Sequence, residues 1–184
     1  MPTIKPLALA EVLLITPKRH GDERGWFAET WSREAMSEAG VEAEFVQDNQ
    51  AYSAKAGTVR GLHFQQAPHP QAKLVRVLRG AIYDIALDIR PGSATYGQWA
   101  GAELTAERGE QLFVPRGFAH GYMTLTDDCE LFYKVDGLYA PQTEGGVFWN
   151  DPDLAIPWPI VGEPILSAKD KVLPRLKDMA QAKF

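Results

Sequence analysis

"KLVRVLRGAIYDIALDIR", residues 73 to 90, is the stretch that decides the architecture. Gly80 separates two runs rich in Val, Leu, Ile and Tyr, each too short for a globular helix and rich in residues that suit a pleated surface. In the second run Tyr83, Ile85, Leu87 and Ile89 alternate with Asp84, Ala86, Asp88 and Arg90, which predicts a half-buried strand. The same pattern extends outward on both sides. Upstream stand "EVLLIT", stopped by Pro17, then "WFAETW" after the turn-like "HGDERG", then "EFVQDNQAYS" and "TVRGLHFQ". Downstream stand "GQWAGAELT", "EQLFVP", "HGYMTLT" and "CELFYKVDGLY". Short strands punctuated by Gly and Pro predict an antiparallel sandwich or barrel. One short helix is expected in "SREAMSEAG", with Ser32 as N-cap, Trp31 and Met36 at staple spacing and Gly40 at the C-terminal stop. The tail "PRLKDMAQAKF" is expected to be helical, and "APQTEGG" and "NDPDLAIPWPIVGEP" to be long loops.

Size and charge limit the possible functions. A chain of 184 residues fits one domain, here residues 1–184, and buries a full core without disulfides. A hydrophobic fraction of 45% with 23% charged residues is that of a globular protein. The net charge of −5, without a basic block, argues against nucleic acid as a partner. Cys129 is the single cysteine, so no intrachain disulfide forms, which suits a reducing compartment. The first 25 residues lack the pattern of a signal peptide, and no run approaches a membrane span. The expected location is the cytoplasm, with no membrane partner.

Chemistry concentrates in "VRGLHFQ", residues 59 to 65. "GTVRGLH" and "GEQLFVPRGFAH" resemble the two short motifs of the cupin barrels, whose metal-binding members draw ligands from both. Gln65 stands where the metal form has a second histidine, and "QAPHPQAK" offers only His69 beyond it. Two histidines and a neutral amide make a poor donor set for a catalytic metal, so none is expected. As a general base, His63 needs an orienting partner and a separate acid; Asp170 in "LSAKDK" and Tyr133 in "LFYKV" are candidates. Taken singly, each has a plainer reading: a satisfied strand histidine, a surface charge, a barrel-filling tyrosine. Spacing alone does not bring the three together.

The order of motifs along the chain bears on this choice. "GDERGWFAETW", "FVQDNQ", "RGLHFQ", "KLVRVLRGAIYDIALDIR", "YGQW", "FVPRGFAHGYMTL", "YKVDGLYAPQTEGGVFWNDP", "WP" and "LSAKD" occur in succession from about residue 12 to 175. Together they resemble the dTDP-4-dehydrorhamnose 3,5-epimerase family of sugar-nucleotide epimerases. The resemblance implies a mostly β, cupin-like jelly-roll barrel with a few short peripheral helices. It implies a dTDP-4-keto-6-deoxyhexose substrate and inversion at C3 and C5, both α to the C4 ketone, without metal or other cofactor. It assigns His63 as the base, Asp170 as its orienter, Tyr133 as the acid on the opposite face and Lys73 as the cation at the enolate oxygen. Arg24, Arg60 and Lys169 fall to the diphosphate, His120 to the sugar site, Glu29, Gln47, Asn49 and Glu144 to polar substrate contacts, and Tyr139 to stacking on thymine. It also implies a homodimer built by N-terminal strand exchange, with Arg24 and Glu29 serving the partner's pocket. "DGLYAP" and His20 depart from the family pattern and bear on sugar specificity. The competing readings are a relative inverting only C3 or only C5, a catalytically silent sugar-nucleotide binder, and a metal-dependent cupin.

One requirement is geometric. Arg60 and His63 are three apart, so a regular strand points them to opposite faces. If both line one pocket, the strand bends between them, and Gly61 is where a bulge or kink is expected.

Overall fold

Thirteen strands carry nearly all the regular structure of the computed structural model, which describes residues 2–184. They are β1 Thr3–Pro6, β2 Leu13–Thr16, β3 His20–Asp22, β4 Gly25–Phe27, β5 Gln47–Ser53, β6 Val59–Gln65, β7 Lys73–Arg79, β8 Ala81–Asp88, β9 Trp99–Thr105, β10 Gln111–Val114, β11 Phe118–Thr124, β12 Cys129–Val135 and β13 Glu144–Gly146. A six-stranded sheet runs β1-β2-β10-β7-β12-β5 and a five-stranded sheet β13-β6-β11-β8-β9, while β3 and β4 form a separate hairpin. The strand pairs in these sheets are antiparallel. Two packed antiparallel sheets with crossing connections are the expected cupin-like jelly roll.

Val75, Val77, Leu112, Val114 and Leu131 from the larger sheet meet Ile82, Ala86, Ala100, Leu104 and Phe118 between the two sheets. A second cluster covers the outer face of the five-stranded sheet. There Leu62, Phe64, Ile85, Leu87 and Met123 pack against Trp149, Leu154, Ile156, Trp158, Leu176 and Ala182. This second layer corrects the expectation for residues 81–90. β8 is buried on both faces, and Asp84 and Asp88 are fully buried instead of facing solvent. Asp88 is compensated at both oxygens, as buried charge requires, whereas Asp84 is bound through one oxygen and its Oδ2 has no partner among the described residues. Burial pushes the Asp88 pKa up, but Asp88 accepts from the Arg90 guanidinium at 2.8 Å, Ser93 Oγ at 2.6 Å and Thr95 Oγ1 at 2.6 Å, and together these donors hold it far below the usual carboxylate range. Asp84 turns inward, toward the site.

The helix forms as expected, Arg33–Glu38, with Ser32 Oγ accepting from the Ala35 N–H at 3.2 Å and Gly40 left-handed beyond it. Three expectations are corrected. The tail holds only a 3₁₀ turn at Leu176–Asp178. Its backbone is recruited elsewhere: Leu176 N–H donates to Asp151 Oδ2 at 2.8 Å, and the Lys183 carbonyl accepts from Ala67 N–H at 2.7 Å. Tertiary anchors thus outweigh its local helix propensity. In "WFAETW" only Trp26 and Phe27 are strand, because the hairpin has no neighbour beyond the β3–β4 pair. "APQTEGG" is not all loop; its last residues form β13 on the free edge of β6.

The bend in β6 is present. His120 of β11 stands opposite His63 and Tyr122 opposite Arg60, so Gly61 and Leu62 together face the single residue Gly121. Two residues against one is a β-bulge, and it returns Arg60 and His63 to one side. Gly61 has φ +118, and a Cβ there would lie 2.7 Å from both Gly121 Cα and the His120 carbonyl oxygen. Neither backbone atom belongs to a flexible side chain that can swing away. Gly61→Ala is therefore expected to cost about 2–3 kcal/mol or more, seen as a fall of roughly 5–10 °C in Tm. An unchanged melting curve would contradict this placement of the bulge.

Candidate active site

The bulge gives one cavity its chemistry. A pocket of about 500 Å³ opens between the sheets, and its walls include Arg60, His63, Lys73, His120, Tyr122, Tyr133, Lys169 and Asp170. A larger depression, about 750 Å³, lies beside the helix, where Glu42, Glu44, Phe113, Arg116 and Asp136 line it. Its one cation near a carboxylate, Arg116, is bound to Asp136 at 2.8 Å, and it holds none of the candidate acids and bases read from the sequence. The smaller pocket is the candidate site.

His63 is positioned from two directions. β6 carries it in, and the segment following the long loop is pinned beside β6. Ile165 N–H donates to the Gly57 carbonyl and Val59 N–H to the Ile165 carbonyl, both at 2.9 Å. The chain then turns through Asp170–Val172, where Ser167 Oγ accepts from Asp170 N–H at 3.1 Å. That turn delivers Asp170, 2% exposed, to His63, whose Nε2 lies 2.5 Å from Oδ1. A carboxylate only accepts, so Nε2–H donates and the other ring nitrogen keeps its lone pair. Burial pushes the imidazole pKa below its ordinary value and the nearby Lys73 and Lys169 push the same way, while Asp170 opposes them. The imidazole is therefore neutral and basic at neutral pH.

Lys73 opens β7 with its ammonium 3.5 Å from the His63 carbonyl. Burial lowers its pKa to about 8, against the pull of Asp84 and Glu144, which favour the charged form. Tyr133 enters from β12 in the opposite sheet; burial raises its phenol pKa, with Arg60 opposing. It stays protonated at neutral pH. His120, on β11, is buried and held by Asp84, with Nε2 2.6 Å from Oδ1. Neither Asp84 nor Tyr122 was among the candidates. The signal for Asp84 was a carboxylate inside the apolar run "IYDIALDI", and for Tyr122 its place two residues after His120, on the same strand face.

A hydrogen-bonded chain runs along the rim. Lys169 Nζ pairs with Glu144 Oε1 at 2.6 Å, and Tyr139 OH donates to Glu144 Oε2 at 3.3 Å. Tyr139 N–H donates to Gln47 Oε1 at 3.4 Å, and Gln47 Nε2 donates to Asn49 Oδ1 at 2.8 Å. Gln47 and Asn49 lie on the same half-buried face of β5 as Ala51, which lines the pocket. Tyr139 is 59% exposed, which leaves its side chain open to a planar group. Gln65 has a structural use: Nε2 donates to the carbonyls of His69 at 2.8 Å and Leu138 at 3.2 Å, while Oε1 accepts from Ala140 N–H at 2.9 Å. It braces the loop that presents Tyr139. Among the described residues no group of three or more His, Cys, Asp or Glu is arranged to hold a metal ion.

Two candidates are not brought to this pocket. Arg24 sits at the tip of the β3–β4 hairpin, paired with Asp22 at 2.5 Å, and Glu29 lies beyond it beside Lys18 and Phe27. The hairpin pairs with neither main sheet, and neither residue lines its own subunit's cavity.

This constellation has relatives. A family profile described as dTDP-4-dehydrorhamnose 3,5-epimerase matches residues 6–178. The dTDP-4-dehydrorhamnose 3,5-epimerase of Sinorhizobium fredii is 48% identical over 94% of this chain and 89% of its own length. The solved dTDP-6-deoxy-D-glucose-3,5-epimerase of Legionella pneumophila, in complex with dTDP-4-keto-L-rhamnose, superposes with TM-score 0.95 at 38% identity, covering 100% of this chain and 99% of that one. A dTDP-4-dehydrorhamnose 3-epimerase of Streptomyces niveus is 39% identical over 91% of this chain and 81% of its length. By profile, identity and superposition, the chain belongs to the dTDP-4-dehydrorhamnose 3,5-epimerase family.

Proposed function

We propose that this protein, working as one domain in the cytoplasm, is an isomerase that epimerises C3 and C5 of dTDP-4-dehydro-6-deoxyglucose, giving dTDP-4-dehydrorhamnose for dTDP-rhamnose biosynthesis. The observation that carries the reading is His63, oriented by Asp170, sharing one pocket with Lys73 and Tyr133. Both target carbons are α to the C4 ketone. His63 takes the proton from carbon, the C–H electron pair moves into the ring, and negative charge gathers on the ketone oxygen. The Lys73 ammonium stabilises that oxyanion in a site where burial strengthens the interaction. Tyr133 then gives its phenolic proton to the opposite face of the carbon; its O–H bond breaks, a new C–H bond forms, and the configuration is inverted. Asp170 stabilises the imidazolium as it forms. None of these steps calls for a metal or redox cofactor.

Recognition follows the rim. Arg60 and Lys169 serve the diphosphate, Arg60 through its planar fork. His120 borders the sugar, Tyr139 stacks on thymine, and Gln47, Asn49 and Glu144 supply polar contacts. Arg24 and Glu29 reach the pocket of a second copy in a homodimer. The exposed hairpin, with Phe27 at 72% exposure, and the edge position of β1 in its sheet support this arrangement. Light scattering is expected to give a dimer mass at micromolar concentration; a monomer would remove this part of the account.

Incubation with dTDP-4-keto-6-deoxyglucose in deuterated water tests the function. Deuterium is expected at both C3 and C5 by NMR. Exchange at C3 alone would assign the narrower activity that the Streptomyces relative's name describes, and exchange at C5 alone a 5-epimerase.

A further inference from the structure

Asp170 sits in the middle of a span held at its two ends. Before it, Ile165 is bonded to Gly57 and Val59, both at 2.9 Å, and after it the Pro174 carbonyl accepts from Phe148 N–H at 2.7 Å. In the turn between these anchors Lys171 N–H donates to the Ser167 carbonyl at 3.3 Å and Val172 N–H to the Lys169 carbonyl at 3.2 Å. Both distances stand at the long end of the hydrogen-bond range, so the turn is lightly held by its own main chain. A third bond acts on the residue that carries the carboxylate: Ser167 Oγ accepts from Asp170 N–H at 3.1 Å. Among the described residues that N–H has no other acceptor, and Asp170 is 2% exposed, so water is a poor substitute. The carboxylate so held meets His63 Nε2 at 2.5 Å. Ser167 itself is exposed and borders the cavity, so its side chain fills no place in a packed core.

We propose that Ser167 is a positioning residue whose hydroxyl oxygen fixes the Asp170 backbone, so that the carboxylate meets His63 Nε2 in line. This rests on the proposed role of His63 as the base. Ser167 exchanges no proton with the sugar; it acts through Asp170. The anchors at Ile165 and Pro174 set the path of the span, and the hydroxyl removes freedom that remains at its centre. A carboxylate displaced by about 1 Å still neighbours His63 but no longer aims its basic nitrogen, and misplacement on that scale is costly to turnover. The other charged and titratable groups lining the cavity with His63 are Arg60 of its own strand, Lys73 of β7, His120 and Tyr122 of β11, Tyr133 of β12 and Lys169 of the C-terminal segment. Glu144 stands on β13, the strand paired with β6. Burial, Lys73 and Lys169 lower the imidazole pKa and Asp170 opposes them, so a loosened Asp170 shifts His63 ionisation further down.

The test is a titration of His63 followed by NMR, with its ring signals assigned by their loss in His63→Gln. In Ser167→Ala the midpoint is expected to move to lower pH by about 0.5–1 unit, and the Nε2–H proton to exchange faster with water. This variant should melt close to the parent, because the residue is exposed. Its kcat should fall about tenfold with KM held. Ser167→Thr keeps the acceptor oxygen and should return both the His63 midpoint and kcat to the parent's values. A His63 titration that stays in place in Ser167→Ala overturns the proposal, and so does a midpoint that Ser167→Thr fails to restore. A loss that falls mainly on affinity for dTDP-glucose also overturns it, by giving the hydroxyl to the substrate. The titration needs no turnover, so a protein inactive on the keto sugar would defeat the proposed function while still deciding the role of Ser167.

Discussion

His63→Gln lowers kcat by about 10²–10⁴-fold, the range a positioned general base supplies, while the protein still folds. Gln is the informative replacement because of Asp170. That carboxylate is buried, and its contact with the imidazole is 2.5 Å. His63→Ala leaves it without a donor, an arrangement that is strongly destabilising, so lost activity would mix two causes. Gln keeps an N–H for Asp170 and removes only the basic nitrogen. The expected result is a normal melting curve, retained binding of a dTDP sugar and no deuterium exchange at carbon. Near-normal turnover in this variant would remove His63 from the chemistry.

Lys73→Met gives the second large effect, a loss of about 10²–10³-fold in kcat with little change in KM. Met keeps much of the aliphatic length and removes the charge. An oxyanion donor acts on charge that develops in the transition state, so its loss falls on turnover more than on binding. The pH profile provides a separate check. Only the ammonium form of Lys73 stabilises the enolate, and its pKa is lowered to about 8. Activity is therefore present below that pH and falls as pH rises through it. His63 works as the neutral base with a lowered pKa, so the acid side of the profile falls only below the usual imidazole range. The residual rate of Lys73→Met should lose the alkaline fall near pH 8. Persistence of that fall would assign it to another group.

Much of this was legible in the sequence, for identifiable reasons. A strand period of two and Gly/Pro punctuation pointed to the sheets, and the three-residue offset of Arg60 and His63 pointed to the bulge once the family resemblance put both in one pocket. What was not legible was burial contributed from far along the chain. Residues 81–90 show one apolar face, yet the segment from 147 to 182 covers the outer side of β8 and the opposite sheet covers the inner. Asp84, which read as solvent-facing, thereby became the partner of His120. The tail failed as a helix for the same reason, since its hydrogen bonds go to Asp151 and Ala67. Among the site residues, the motifs named His63, Tyr133, Lys73 and Asp170, and the fold places all four in one pocket. Arg24 and Glu29 came from the same motifs, but Arg24 sits on the hairpin and Glu29 just beyond it, and neither lines the pocket. Gln65 was read for its missing imidazole, and its actual work, bracing the Tyr139 loop, depends on carbonyls that sequence spacing does not locate.

The central claim is that one base–acid pair inverts two carbons flanking a ketone. Site-resolved deuterium incorporation into dTDP-4-keto-6-deoxyglucose tests it most directly, comparing the parent protein with His63→Gln. The account predicts deuterium at both C3 and C5 with the parent and at neither with the variant. Label at both carbons with His63→Gln, at a rate near the parent's, would contradict it.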